Sequence, residues 1–393
     1  MIALILRIIL VSALPTASVL VAAEDGKNPE NLAEVCRELV ENYGEIVHAS
    51  YRDSLAEANR LEEAIAAFLE DPDEAGLEAA KKAWIAARQP YLQTEAYRFY
   101  AGPIDDDDDG PEPMINGWPM DEYHVDYVEG APEAGIVGDV SNYPEIDKDL
   151  VARLNEKAGE TAITSGYHAI EFLLWGQDTN ADGPGDRPAT DYTTAKHADR
   201  RATYLTVCAD LLTDHLAYLV SEWVPGKDDN FRAEFAGRPP LEAARSILYG
   251  IHFLAGKELA GERLLVAWDT QEQEDEHSCF SDTTDQDARY DAKGIENVYR
   301  GRYETLDGKT ISGPGARALA EILMPGKVED YDAKMDAVIE SVGEIPAPFD
   351  QAILGDDEVP GRRAIMTAVE HLEDFAFMLA DLEQELVKET NRR

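Results

Sequence analysis

The chain has 393 residues, 44% of them hydrophobic, enough to bury one large core or two ordinary ones, so disorder throughout is excluded. Its 35 Lys and Arg stand against 79 Asp and Glu, a formal charge of −44, which repels nucleic acid and anionic membrane surfaces and draws cations close. Cys36, Cys208 and Cys279 form no CxxC pair, so a zinc ribbon, thioredoxin-type exchange and c-type haem attachment are unsupported, and at most one disulfide can form.

In chain order, Met1 to Ala23 is almost wholly apolar, with Arg7 its one charge and Val21-Ala22-Ala23 at its end. This reads as an export signal cleaved after Ala23, with an uncleaved anchor as the other reading. The mature chain is then exported, to the periplasm or outer envelope, with peripheral membrane attachment left open. Helical periodicity dominates from there on. The expected helices are Pro29–Glu70, Glu74–Phe99 (kinked or divided at Pro90), Asp147–Trp175, Thr190–Trp223, Leu241–Trp268, Gly313–Met324, Asp330–Val342 and Arg362–Lys388. Ala101–Pro144 and Glu272–Arg302 read as long loops, the second holding a dense acid cluster with Glu274, Glu276, His277, Cys279 and Asp282. Gly, Pro and charge accumulate near Pro225–Pro240. The reading is therefore all-α: a signal over 1–23, one helical bundle over 24–225 and a second over 226–393, with an internal duplication as one origin for the pair.

Several constellations carry chemistry. His168 and Glu171 lie three apart on a helix closed by Gly176, beside the apolar stripe of Ile163, Tyr167, Ile170 and Leu174, where a nitrogen and an oxygen side by side suit a metal. A carboxylate that merely orients a core histidine is the bland alternative. Trp84, Arg88, Tyr91, Glu95 and Arg98 recur at helical spacing, so Glu95 is flanked by two arginines on a face that meets another helix or lines a cleft. Asp178-x-Asn180-x-Asp182-Gly183 and Asp105-x-Asp107-x-Asp109-Gly110 match the first half of a calcium loop, yet neither has Glu at the twelfth position, and an acidic Asx turn is the competing reading. Glu258 and Arg263 can face the first site from a later helix. No HExxH, GxSxG elbow or phosphate-cradling glycine loop occurs, and HxxE alone lacks the second histidine of a catalytic zinc site.

Gly166-x-His168-x-x-Glu171 followed by Trp175-Gly176-Gln177-Asp178 resembles the GxHxxE signature of the imelysin family. Thr94-Glu95-Ala96-Tyr97-Arg98-Phe99, Gly102-Pro103-Ile104-Asp105, Asn116-Gly117-Trp118-Pro119-Met120-Asp121-Glu122, Gly261-Glu262-Arg263-Leu264 and Glu276-His277-Ser278-Cys279-Phe280-Ser281-Asp282 extend the likeness over the mature chain. Thr283-Thr284-Asp285 departs from the Asn-Thr-His expected there. A histidine lost at Asp285 would leave that site harder and richer in oxygen.

The resemblance implies two related helical bundles, a site at their junction around His168 and Glu171, and a role in iron uptake. It also brings a peptidase label. On this reading the metal ligands are His168, Glu171, Glu95 and Asp121. Tyr97, Arg98, Asp105, Trp175, Asp178, Glu258, Arg263, Glu276, His277 and Asp282 support or orient. Iron or an iron complex is the expected cargo, zinc or calcium the alternatives, and envelope iron-transport components the expected partners. A metallopeptidase and a non-catalytic envelope interaction protein with a structural His/Glu pair are the competing functions.

Overall fold

The computed structural model describes residues 29–180 and 183–391; the expected export signal and Asp182 lie outside them. The 42-residue helix Pro29–Glu70 opens the fold and buries a stripe that includes Leu39, Ile46, Leu61, Ile65 and Phe68. Each such side chain contributes about 1.5–3 kcal/mol by leaving water. This helix packs against Glu74–Leu92 and Ala198–Trp223. A second group assembles from Pro240–Phe253, Val328–Gly343 and Pro360–Asn391, and Pro29–Glu70 reaches it through Pro240–Phe253. One continuous buried core runs through both groups. Among the described residues the strands amount to a small antiparallel ribbon, Arg302–Glu304 against Thr310–Ser312. The fold is all-α, as the periodicity predicts.

Three departures from the sequence reading position the site. The expected helix Asp147–Trp175 is two, Lys148–Leu154 and Gly166–Trp175, separated by a turn at Glu156–Ala162. Gly166 has φ of +81° and a side chain there would stand 2.4 Å from the Ile115 carbonyl oxygen, so the chain begins anew at a residue only glycine fits. The loop expected over Glu272–Arg302 contains the helix Thr284–Arg300. Its acids obscured the stripe Ala288, Ala292, Ile295 and Tyr299, and Asp285 and Asp287 favour its first turn through the helix dipole. This helix packs on both Glu74–Leu92 and Val328–Gly343, and so lies between the two groups.

The third departure is the single expected helix Leu241–Trp268, which widens into a π-helix at Leu254–Leu265. A π-helix bonds each residue to the fifth one on. The pairs Lys257–Glu262 and Glu258–Arg263 are accordingly five apart, the latter at 3.2 Å. Pro90 leaves Glu74–Leu92 unbroken for two more residues, after which the chain tightens into a 3-10 turn, Gln93–Tyr97.

Candidate functional site

The wholly buried helix Gly166–Trp175 presents His168 and Glu171 to the segment that precedes Thr284–Arg300. His168 Nδ1 and Glu171 Oε2 are 3.1 Å apart. The other Glu171 oxygen accepts from Ser281, at 2.9 Å from its N–H and 2.6 Å from its hydroxyl. Burial, partly offset by Ser281, pushes the Glu171 carboxyl up to about 8.

Next to it lies a second histidine. The rings of His168 and His277 meet edge to face with centroids 4.8 Å apart. His277 Nδ1 stands 2.7 Å from Asp287 Oδ2, an oxygen that also receives Ser278 Oγ at 2.5 Å and Arg88 Nη2 at 3.2 Å. Arg88 is clasped between Trp84, Tyr91 and Tyr167 and donates to Asn116 Oδ1. Burial opposes ionisation of Asp287, but the Arg88 charge and His277 outweigh it and hold the carboxyl well below the usual range. Burial, then the Arg263 charge, lowers His277 to about 4, and burial and His277 hold His168 well below its ordinary value, so both imidazoles are neutral at pH 7.

Both Nε2 atoms are buried and have no hydrogen-bond partner, as does Asn116 Nδ2. An imidazole whose Nδ1 meets a carboxyl group and whose Nε2 lacks a protein partner is placed like a metal-ligating histidine. His277 and Asn116 line a cavity of about 290 Å³ with Trp118, Arg98, Arg263, Glu112 and Glu258. Trp118 covers His277 (centroids 5.5 Å) and donates its indole N–H to the Glu276 carbonyl at 3.0 Å.

The other expected site residues are distributed as follows. Glu95 accepts from Arg98 at 2.7 Å and from Arg263 at 2.6 Å, and these arginines overcome burial to keep it ionised. Arg263 continues to Asp291 at 2.6 Å, and Arg98 to Glu112 at 3.2 Å. Glu95, Glu258, Arg98 and Arg263 therefore form an ion-pair network at the cavity wall. Asp121 is exposed and caps the turn Glu122–His124, accepting the Tyr123 N–H at 3.1 Å. Asp105 accepts the N–H groups of Phe99 and Gly102. Tyr97 is buried with its hydroxyl 2.8 Å from Ser50 Oγ, and Trp175 packs edge-on against Trp84. Asp285 pairs with Arg289 at 3.1 Å. Asp178, Glu276 and Asp282 lie close enough to one another for each to act on the others' charge. All three cysteines are buried thiols.

Sequence reasoning missed Asp287, Asp291, Ser278 and Ser281. The four-residue step from Asp287 to Asp291 was the available signal, hidden because that stretch read as loop.

The family model described as imelysin (Peptidase_M75) matches residues 47–376. The chain belongs to the imelysin family. It is 26% identical over 335 residues to iron-regulated protein A of Synechococcus elongatus, covering 82% of this chain and 79% of that one. The crystal structure of a protein described as an iron-regulated protein A precursor, from Parabacteroides distasonis, superposes with a TM-score of 0.70 at 19% identity, covering 93% of this chain and 97% of that one. An imelysin-like protein from Psychrobacter arcticus gives a TM-score of 0.58 at 12% identity, over 88% and 93% of the two chains. These two structures share the helical fold.

Among the described residues no three His, Cys, Asp or Glu side chains stand close enough together to hold a metal ion. What the site offers a metal is thus two imidazole nitrogens. None of the described helices is long and apolar enough to cross a membrane.

Proposed function

We propose that this imelysin-family protein is an exported iron-binding component of an iron-acquisition system, and that it takes its iron at the imidazoles of His168 and His277. The carrying observation is that Glu171 and Asp287 each hold an Nδ1 while both Nε2 atoms are buried without a partner. Two nitrogens do not fill the coordination of iron. The cargo therefore keeps oxygen ligands of its own, as a chelate with open positions, in the cavity of about 290 Å³ beside His277. The printed names of the curated relative and of one structural neighbour, both iron-regulated protein A, support an iron-related role. The apolar start of the chain supports export, and envelope iron-transport components are the partners this implies.

The test is iron retention after desalting, measured by mass spectrometry on protein offered ferrous iron without oxygen and ferric citrate in air. The expected result is one iron per chain, weakened about tenfold or more in His168→Ala and His277→Ala and about 10–100-fold in Glu171→Gln. No retention from either source, or retention by both histidine variants equal to the parent, overturns the proposal. The second reading, a metallopeptidase, is favoured by one observation: His277 supplies the second histidine that the sequence motif lacks. It predicts stoichiometric zinc and chelator-sensitive cleavage of a denatured protein.

A further inference from the structure

In the cavity of about 290 Å³, Asn116 and His277 present open groups that one guanidinium orients. Asn116 follows the short helix Glu112–Ile115, and the glycine after it lets the chain close on Pro113 and Ile163, where a side chain at Gly117 would stand 2.7 Å from each. Arg88 Nη1 donates to Asn116 Oδ1, which leaves Nδ2 as the free end of the amide. Arg88 Nη2 donates at 3.2 Å to Asp287 Oδ2, and the same oxygen holds His277 Nδ1 at 2.7 Å. Facing an ionised Asp287, the neutral imidazole carries its hydrogen on Nδ1 and a lone pair on Nε2.

The hydrogen-bond accounting of this wall is one-sided. Asn116 Nδ2, Arg98 Nε and Arg263 Nε are buried N–H donors with no acceptor among the described residues. Asn116 is 2% exposed, so bulk water does not satisfy its amide. A buried donor left unpaired is costly, and a ligand that enters with oxygens removes that cost.

Charge narrows the ligand further. Arg98 is matched by Glu95 and Glu112, and Arg263 by Glu95, Asp291 and Glu258. Glu156 and Glu160 add exposed acids to the same cavity. A wall so rich in acid repels a polycarboxylate, whose ferric complexes are anionic, and admits a complex of net positive charge. The ligand must therefore bring acceptor oxygens yet leave the iron complex cationic. A monoanionic chelator that binds through two oxygens, of the hydroxamate type, does both: two of them around ferric iron leave one positive charge and keep water-filled positions open. The cavity lies at the small end of ligand sites, which favours small chelators over a large macrocycle.

We propose that the cargo is a small cationic ferric complex of hydroxamate-type chelators, and that Asn116 selects it by donating its free amide N–H to a chelator oxygen while the histidines take the iron. The inference rests on the histidine pair as the iron site. On binding, the imidazole nitrogens displace waters from the iron; the chelator oxygens stay bound, no electron moves and the iron remains ferric.

The test offers the protein equal iron as ferric acetohydroxamate with two chelators per iron, as ferric citrate, and as ferrous ion without oxygen. Retained iron is measured by mass spectrometry after desalting, and the visible charge-transfer band of the ferric hydroxamate is recorded on the same samples. The parent is expected to retain about tenfold or more iron from the hydroxamate than from citrate, with the band still present. Asn116→Asp keeps an oxygen for Arg88 but turns the free donor into an acceptor, and should lower retention from the hydroxamate about tenfold or more at unchanged helical circular dichroism. Glu156→Gln combined with Glu160→Gln, at the exposed rim, should raise retention from citrate several-fold. Four outcomes each overturn this inference and leave the iron site standing: citrate serving the parent as well as the hydroxamate; iron retained without the band; hydroxamate retention at the parent level in Asn116→Asp; or citrate retention unmoved in the rim variant. No iron retained from any of the three sources overturns the iron site, and this inference with it. The parent comparison decides the matter even where Asn116→Asp fails to fold.

Discussion

At the scale of single residues, the molecule hinges on Asp287. Its Oδ2 is shared by Arg88, His277 and Ser278, and its two charged or chargeable partners are buried with it. Asp287→Ala leaves a buried guanidinium unpaired, and removing one partner of a buried pair costs about 3–5 kcal/mol. Ser281→Ala removes one hydroxyl from Glu171 and costs about 1–2 kcal/mol. Urea unfolding is expected to rank the two in that order; equal losses would mean that Asp287 does not hold the site together. The local signals at this scale were partly legible. His168 and Glu171 are neighbours by helical spacing alone, and the Glu95–Arg98 pair follows from a three-residue step. Asp287 was not legible, since what makes it central is Arg88, 199 residues away along the chain.

At the scale of elements, the long stretch Ala101–Pro144 is tied down by charge rather than by regular structure. Asp126 sits buried between Arg187 (2.8 Å) and the guanidinium of Arg201 on the helix Ala198–Trp223, with Arg201 Nη2 at 2.9 Å from Oδ1. From the same helix Arg200 donates to the carbonyls of Ile136 (2.7 Å), Val137 (2.8 Å) and Tyr143 (2.7 Å). Burial opposes the Asp126 charge, yet the two arginines hold its carboxyl below the usual range. A depressed carboxyl contributes stability that is present above its unfolded value of about 4 and is lost as pH falls through the folded one. Asp126→Asn is therefore expected to lose about 3–5 kcal/mol at pH 7 and progressively less below pH ~4. Denaturant unfolding across pH checks this, and an unchanged difference between parent and variant down to the acid limb would refute it. Composition marked this stretch as a long loop, but its anchoring depends on residues far along the chain.

At the scale of the whole molecule, the charge of −44 acts against compactness. Screening shortens from about 10 Å at 0.1 M salt to about 3 Å at 1 M, so potassium chloride is expected to raise the melting temperature steadily over that range. A flat or falling calorimetric series would show that the surface acids are already neutralised by pairing. The continuous core shared by the two helix groups leads us to expect a single transition in the same scans.

The sequence by itself determined the all-helical class, the helix Pro29–Glu70, the family and the proximity of His168 to Glu171, because each depends on residues within a turn or two or on a motif. Only the tertiary structure decided the rest. It converted an acid-rich stretch into the helix Thr284–Arg300, brought His277 against His168, added Arg263 to the Glu95–Arg98 pair and turned Arg88 from Glu95 to Asp287. It also set Asp178 beside Asp282. The physical reason is range: helical periodicity reports which face of a segment is apolar, whereas the partner of a buried charge is chosen by packing between segments a hundred or more residues apart.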